Sequence, residues 1–462
     1  MTRVGVRALL ALAGAVIALA LAAGPAGARE RVITVPTPPA PGPAQFNHVT
    51  VHQFGPASGK RVLVLMPGTE GGAGDFTLDA RYLVKRVPGL QVWAIDRRTQ
   101  ALEDTATFAA ADRGQISLQQ AFNYYLGFGG FHFRGANEDP YARDWGMAVA
   151  LNDARAVVLR ARAHGRRQVV LGGHSRGASL TTAYAALDFN GHPGYKDLAG
   201  LVLIDGGLLG SFDVYDLSQA QQAVADLQTS DPFLDLLGIG IPEAAGLFAE
   251  IGGLYAKKDP TESATTLQSY PLLPPQFNPP FPVTNRGLLG YAFDRDSSPA
   301  ELGLLHINGG GLAASGNPRD WVDGGVTPVS RLAETFGQEP TNAVEWYFPK
   351  RLTIDTNGAN QMTQNDVANF LGLRLTHTRK VKLPLYAIAT DLGGAHVLDG
   401  ARNLIARSRI TKKQSTLVNR NPLMSHLDPL IAAPKTNAFL KTIVPFLDQK
   451  VFGEPKQPKK KS

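Results

Sequence analysis

The 462-residue chain is 44% apolar and 18% charged, enough apolar material for one large domain or two and too little charge for a disordered protein. It contains no cysteine, which excludes disulfides, thiolate catalysis, thiolate metal sites and lipid attachment through an N-terminal cysteine. The formal charge of +7 is scattered and balanced by acids except in a lysine-rich end at residues 456–461, so no nucleic-acid partner is expected.

At the N-terminus, Arg3 and Arg7 precede an apolar run over residues 8–23, followed by the small-x-small triplet Ala26-Gly27-Ala28. This is the pattern of a cleaved export signal, so residues 1–28 are expected to be removed and the mature protein secreted. The apolar run is shorter than the roughly 20 residues that cross a bilayer, and no other segment qualifies, so no stable membrane span is expected after cleavage. A Pro-rich linker is assigned to residues 29–46 and a basic disordered tail to residues 451–462.

Between them, short Val-, Leu- and Ile-rich runs alternate with helix-like stretches, the order expected of a mostly parallel sheet with helices on both faces, an α/β fold. The expected strands are residues 49–54, 61–66, 91–95, 168–171, 201–204, 383–389 and 415–418. The clearest helices are 75–86, 145–164, 176–187, 399–407 and 434–447. Two stretches break the rhythm: an excursion at residues 97–144 with the aromatic, glycine-rich run 124–131, and a much longer insertion. Neither fits an ordinary loop between strand and helix. The chain therefore divides into a first core part (47–207), an inserted cap (208–381) and a second core part (382–450).

The most informative five residues are Gly173-His174-Ser175-Arg176-Gly177, which follow the β-branched Val169-Val170-Leu171 and precede the helix-forming Ala178-Ser179-Leu180. A serine on a sharp turn from strand to helix needs glycine on both sides, because a side chain there would strike the neighbouring strand or helix. Ser175 is the candidate nucleophile. A serine hydroxyl is a poor nucleophile at neutral pH, so a histidine must take its proton and a carboxylate must hold that histidine's tautomer.

Of the ten histidines, His426 fits best, because it follows the last strand in the loop Asn421-Pro422-Leu423-Met424-Ser425-His426-Leu427-Asp428. His174 adjoins the nucleophile but is expected to point away from it, and His396 follows its strand too closely. Two acids remain open. Asp391 ends the 383–389 strand, one strand before that of His426, and is preferred; Asp205 ends the 201–204 strand, two before, and is the alternative, with a turn or helix cap as its plainer role. Asp399 is a third option, with a plain role as helix N-cap. The oxyanion of an acyl-transfer intermediate needs two backbone donors. One is expected at Arg176; the other at Thr69, in the glycine-rich loop Pro67-Gly68-Thr69-Glu70-Gly71-Gly72.

Together these residues resemble the α/β-hydrolase superfamily, in particular exported bacterial lipase-like and esterase-like members with a large cap. The resemblance covers about residues 49–207 and 383–447. It implies hydrolysis of a small-molecule or lipid-like carboxylic ester through an acyl-enzyme on Ser175, with no metal and no organic cofactor. The sequence departs from many members at Met66-Pro67-Gly68, where they carry His-Gly. A serine peptidase using the same residues, or an inactive binding member of the fold, is the alternative. The apolar residues of the insertion, including Phe233, Leu237, Leu247, Phe248 and Ile251, suit either a wall for an acyl chain or the insertion's own core.

Overall fold

The computed structural model describes residues 30–127, 129–338 and 343–453. The expected export signal and the lysine-rich end lie outside the described residues. Eight strands form one sheet: β1 (Arg31–Pro36), β2 (His48–Phe54), β3 (Arg61–Met66), β4 (Leu90–Asp96), β5 (Gln168–His174), β6 (Gly200–Ile204), β7 (Leu385–Ala389) and β8 (Ser415–Asn419). Their spatial order is β1-β2-β4-β3-β5-β6-β7-β8. β2 runs antiparallel to β1 and β4, and every other pairing is parallel.

Because side chains alternate across a strand, Val62, Val64 and Met66 enter one core while Leu63 and Leu65 enter the other. The helices that cover these faces are α1 (Thr77–Arg86), α2 (Met147–Arg162), α3 (Arg176–Ala186), α4 (Ala244–Lys258), α5 (Asn285–Phe293), α6 (Val329–Phe336), α7 (Lys350–Ala359), α8 (Gly394–Arg407) and α9 (Ala438–Phe446). α2, α3 and α8 pack on the first face, α1 and α9 on the second. With both faces buried, a one-residue slip in register would exchange two complete sets of apolar contacts, so the pattern of these runs fixes the sheet.

Two local expectations change. Residues 31–36, grouped with the Pro-rich linker, form the edge strand β1: Val35 is buried, and Pro36, which lacks an N–H, sits at the strand's end, where it interrupts no ladder. The helix expected from Asp399 starts five residues earlier, its first N–H donated by Gly394 to the Thr390 carbonyl at 3.0 Å. Asp399 therefore lies inside α8, where it binds Arg402 at 2.6 Å instead of capping.

The region between β6 and β7 is mostly helical and does not pack as one unit. Phe348, Leu352, Leu371 and Leu375 join the sheet face under α2 and α3, whereas Leu247, Ile251, Leu288 and Trp346 form a third core with Phe122 and Tyr125 of the 97–144 excursion. The insertion is tied to the loop after β3 by backbone bonds, Gly72 N–H to Ala343 O and Glu345 N–H to Glu70 O, both 2.9 Å. Among the described residues no helix is long and apolar enough to cross a membrane.

Candidate active site

Parallel strands bring their C-terminal ends to one edge, and the singled-out residues of β5, β6 and β7 meet there. β5 ends at His174, and the chain turns into α3 through Ser175, whose φ of 53° and ψ of −121° are strained for any residue but glycine. The flanking glycines are required by contact. A Cβ on Gly173 would lie 2.2 Å from the Gly177 carbonyl, and one on Gly177 would lie 2.1 Å from the Met66 carbonyl oxygen. Gly206, after β6, allows the same closeness from the other side, its Cβ position being 2.1 Å from Ser175 O.

Asp205 follows β6 at φ 45°, a left-handed conformation that Asp and Asn tolerate better than most residues. Its carboxylate is fully buried. Oδ1 accepts the Thr390 N–H at 2.7 Å, and Oδ2 accepts both the Thr390 hydroxyl and His426 Nδ1, the latter at 2.5 Å. Burial pushes the Asp205 carboxyl up, but the bond and charge of His426 and the two Thr390 bonds outweigh it and hold the group below its ordinary value.

The expectation that Asp391 backs His426 is therefore not met. Asp391 accepts the Ser425 hydroxyl at 2.8 Å and lies 3.8 Å from Arg295, partly exposed. The reason is the alternation at the end of β7. Thr390 faces Asp205, so its successor is turned the other way. Asp399 and His396 are exposed on α8 and reach none of these groups.

His426 is buried, and its Nε2 has no hydrogen-bond partner among the described residues. Its loop is held from two sides. Asp428 accepts the Ser425 N–H at 2.6 Å, the Asn308 N–H at 3.0 Å and the Thr327 hydroxyl at 2.6 Å, and Leu427 N–H reaches His306 O at 3.1 Å. His174 is turned toward His426. Its Nε2 donates to the His426 carbonyl at 2.9 Å, and the two rings lie 4.3 Å apart. Burial, with His426 beside it, pushes the His174 imidazole down to about 3, so it stays neutral and can make this donation across the physiological range. From the sequence His174 was expected only to point away from the nucleophile, with no partner assigned to it.

The loop after β3 is shaped by a residue that the sequence reading did not single out. The Arg97 guanidinium donates to the carbonyls of Pro67 (2.5 Å), Gly68 (2.5 Å) and Gly71 (3.1 Å), and its charge is met by the buried carboxylate of Glu345. In a trans peptide the N–H opposes the C=O, so drawing the Gly68 carbonyl to Arg97 turns the Thr69 N–H the opposite way. Gly68 approaches the bend so closely that its Cβ position is 2.9 Å from Ser175 Cβ. Arg176 is the first residue of α3, where backbone N–H groups have no intrahelical partner, and its side chain donates to Thr69 Oγ1 at 3.0 Å.

Glu70, in the same loop, is a second unforeseen feature. It is buried at φ 51°, neither carboxyl oxygen has a hydrogen-bond partner among the described residues, and it lines a small cavity with Gly68, His174, His426 and Leu305. Burial pushes its carboxyl well above the ordinary range, and Glu345 and Asp235 add to that. Among the described residues no group of three or more His, Cys, Asp or Glu is placed to hold a metal ion.

No protein-family model and no curated protein matches this chain. Among solved structures, a candidate lipase of Sulfolobus solfataricus superposes with a TM-score of 0.50 at 14% identity, over 90% of this chain and 93% of that one. The chain has the α/β-hydrolase fold. A looser likeness is to an epoxide hydrolase of an endophytic Streptomyces (TM-score 0.42, 12% identity, 92% and 96% covered). Another is a thermophilic esterase of Thermogutta terrifontis (0.38, 13%, 90% and 98%). At these identities the likeness concerns the α/β-hydrolase fold alone, and what the chain does must be argued from its own site.

Proposed function

We propose that the protein is a secreted serine hydrolase that cleaves a carboxylic ester through an acyl-enzyme. Ser175 is the nucleophile, His426 the general base and Asp205 the acid that holds the imidazole. The observation that carries this reading is the 2.5 Å contact from His426 Nδ1 to Asp205 Oδ2, with Nε2 left unengaged and the His426 ring against the residue that precedes Ser175. A buried carboxylate on Nδ1 fixes the proton there and leaves Nε2 as the acceptor, the tautomer that a base needs.

The steps follow from that arrangement. The Ser175 hydroxyl turns onto Nε2, its oxygen attacks the ester carbonyl, and the proton passes to His426. The oxyanion forms against the N–H groups of Thr69 and Arg176, two donors set in place before the reaction. His426 then gives its proton to the leaving alcohol, and the acyl-enzyme is hydrolysed by a water that His426 activates in the same way. Arg97 and His174 act through others, the first on the loop that carries Thr69 and the second on the backbone of His426. The insertion, whose Leu304 and Leu305 wall the cavity beside His426, is read as a cap.

Ser175→Ala is expected to remain folded and to lose ester turnover by several orders of magnitude. Retained turnover in that variant would refute the mechanism, and a preference for peptides over matched esters by kcat/KM would replace the substrate class.

A further inference from the structure

Apart from the site itself, the least explained feature is an apolar cavity inside the insertion. α4 contributes Ala245, Phe248 and Gly252 at helical spacing, α5 contributes Leu288, Leu289 and Ala292, and Phe122 and Leu126 of the 97–144 excursion close it. Besides Ser298 and Tyr270, every lining residue is apolar or glycine. Water needs two to four polar partners to stay in such a space, so the cavity has no means to hold it. Leu305 lines this cavity and also the smaller one that is lined by His426, Gly68 and Glu70, so the apolar space and the space beside the proposed base share a wall at Leu305.

We infer that this cavity receives the hydrocarbon arm of the substrate's acyl group, which passes Leu305 on its way from Ser175, and that the enzyme prefers esters of acyl chains long enough to pass Leu305 over acetyl esters. The inference rests on the proposed function and adds to it a substrate class. An acetyl group is too short to pass Leu305 and leaves the cavity empty, whereas a longer acyl chain passes Leu305 and buries its methylenes among the apolar side chains.

The test is a series of 4-nitrophenyl esters from acetate to dodecanoate. Each methylene that enters the cavity should raise kcat/KM about fourfold until the space is full, so the profile should climb from acetate towards octanoate and peak at the chain length that fills the cavity. Gly252 provides the structural control, because a Cβ there meets only Leu289 Cδ1, at 3.5 Å. Gly252→Leu should fill the cavity and lower the octanoate-to-acetate ratio of kcat/KM at least tenfold, and Gly252→Ala should lower it less. Should Gly252→Leu fail to fold, Ala292→Leu from the facing helix makes the same test. A flat profile from acetate to octanoate, or a peak that folded filling variants leave in place, would overturn the inference. If no ester is turned over, the proposed function fails instead. The cavity is then judged by calorimetric binding of octanoate, where binding that Gly252→Leu weakens supports the inference and absence of binding refutes it.

Discussion

Replacing Asp205 with asparagine separates the roles of the two acids by a geometric argument. Asparagine tolerates φ 45°, so the backbone after β6 can stay as it is. The Thr390 N–H, 2.7 Å from Oδ1, has no other use for its proton and will hold the new amide oxygen there. The amide NH2 must then face His426 Nδ1, which becomes an acceptor, and the ring proton moves to Nε2. That is the tautomer unable to take a proton from Ser175. A wrong tautomer in unchanged geometry costs about 10⁴ in kcat, or about 5 kcal/mol of transition-state stabilisation. Asp391→Asn loses an exchangeable contact with the Ser425 hydroxyl and a partly exposed ion pair with Arg295, and should change kcat less than about threefold. The assay is steady-state turnover of one ester by both variants at neutral pH, with a thermal melt to establish folding. If folded Asp205→Asn retained turnover within tenfold of the parent, or if Asp391→Asn fell as far, the assignment of the acid would be wrong.

Three more outcomes follow from the same geometry. Glu70 holds its proton in the fold far more firmly than in the unfolded chain. Its stabilising contribution is therefore full below its ordinary value and is lost as pH rises toward the folded value. Glu70→Gln should accordingly gain in melting temperature relative to the parent as pH is raised from 5 to 9, and a difference independent of pH would contradict this. Gly177→Ala, whose Cβ would lie 2.1 Å from the Met66 carbonyl, should lose about 3 kcal/mol of stability along with activity, measured by denaturant unfolding; unchanged stability would mean that the bend is looser than described. Expressed with its leader in a bacterial host, the exported protein should begin at Arg29 by intact mass, whereas a chain that keeps residues 1–28 in the cytoplasm would refute the export reading.

The core was legible because its strands are buried on both faces and so appear as continuous apolar runs, as in Val169-Val170-Leu171 and Leu201-Val202-Leu203-Ile204. β1 was hidden by the prolines that follow it, although Val32, Thr34 and Pro36 alternate with Ile33 and Val35, the face that the core takes up. The bend at Ser175 carried its own signature in the two glycines. The choice between Asp205 and Asp391 did not, because both stand just beyond apolar strands, and only the direction in which Thr390 leaves β7 decides which carboxylate meets His426. The contributions of Arg97 and His174 are equally invisible in one dimension, since each acts on backbone carbonyls, which any residue could have supplied. The insertion gave the weakest signal. Its apolar residues serve both expectations, with Leu247 in a packed core, Leu237 on the cavity wall, and Ile251 and Phe248 in both places. Nothing in their spacing distinguishes the two.

The most direct measurement of the central claim is covalent labelling with a fluorophosphonate, followed by peptide mapping. The account predicts one modified residue, Ser175, labelled rapidly in the parent and orders of magnitude more slowly in Asp205→Asn, because the same histidine tautomer activates the hydroxyl. Labelling at another residue, no labelling, or equal rates in the two proteins would contradict it.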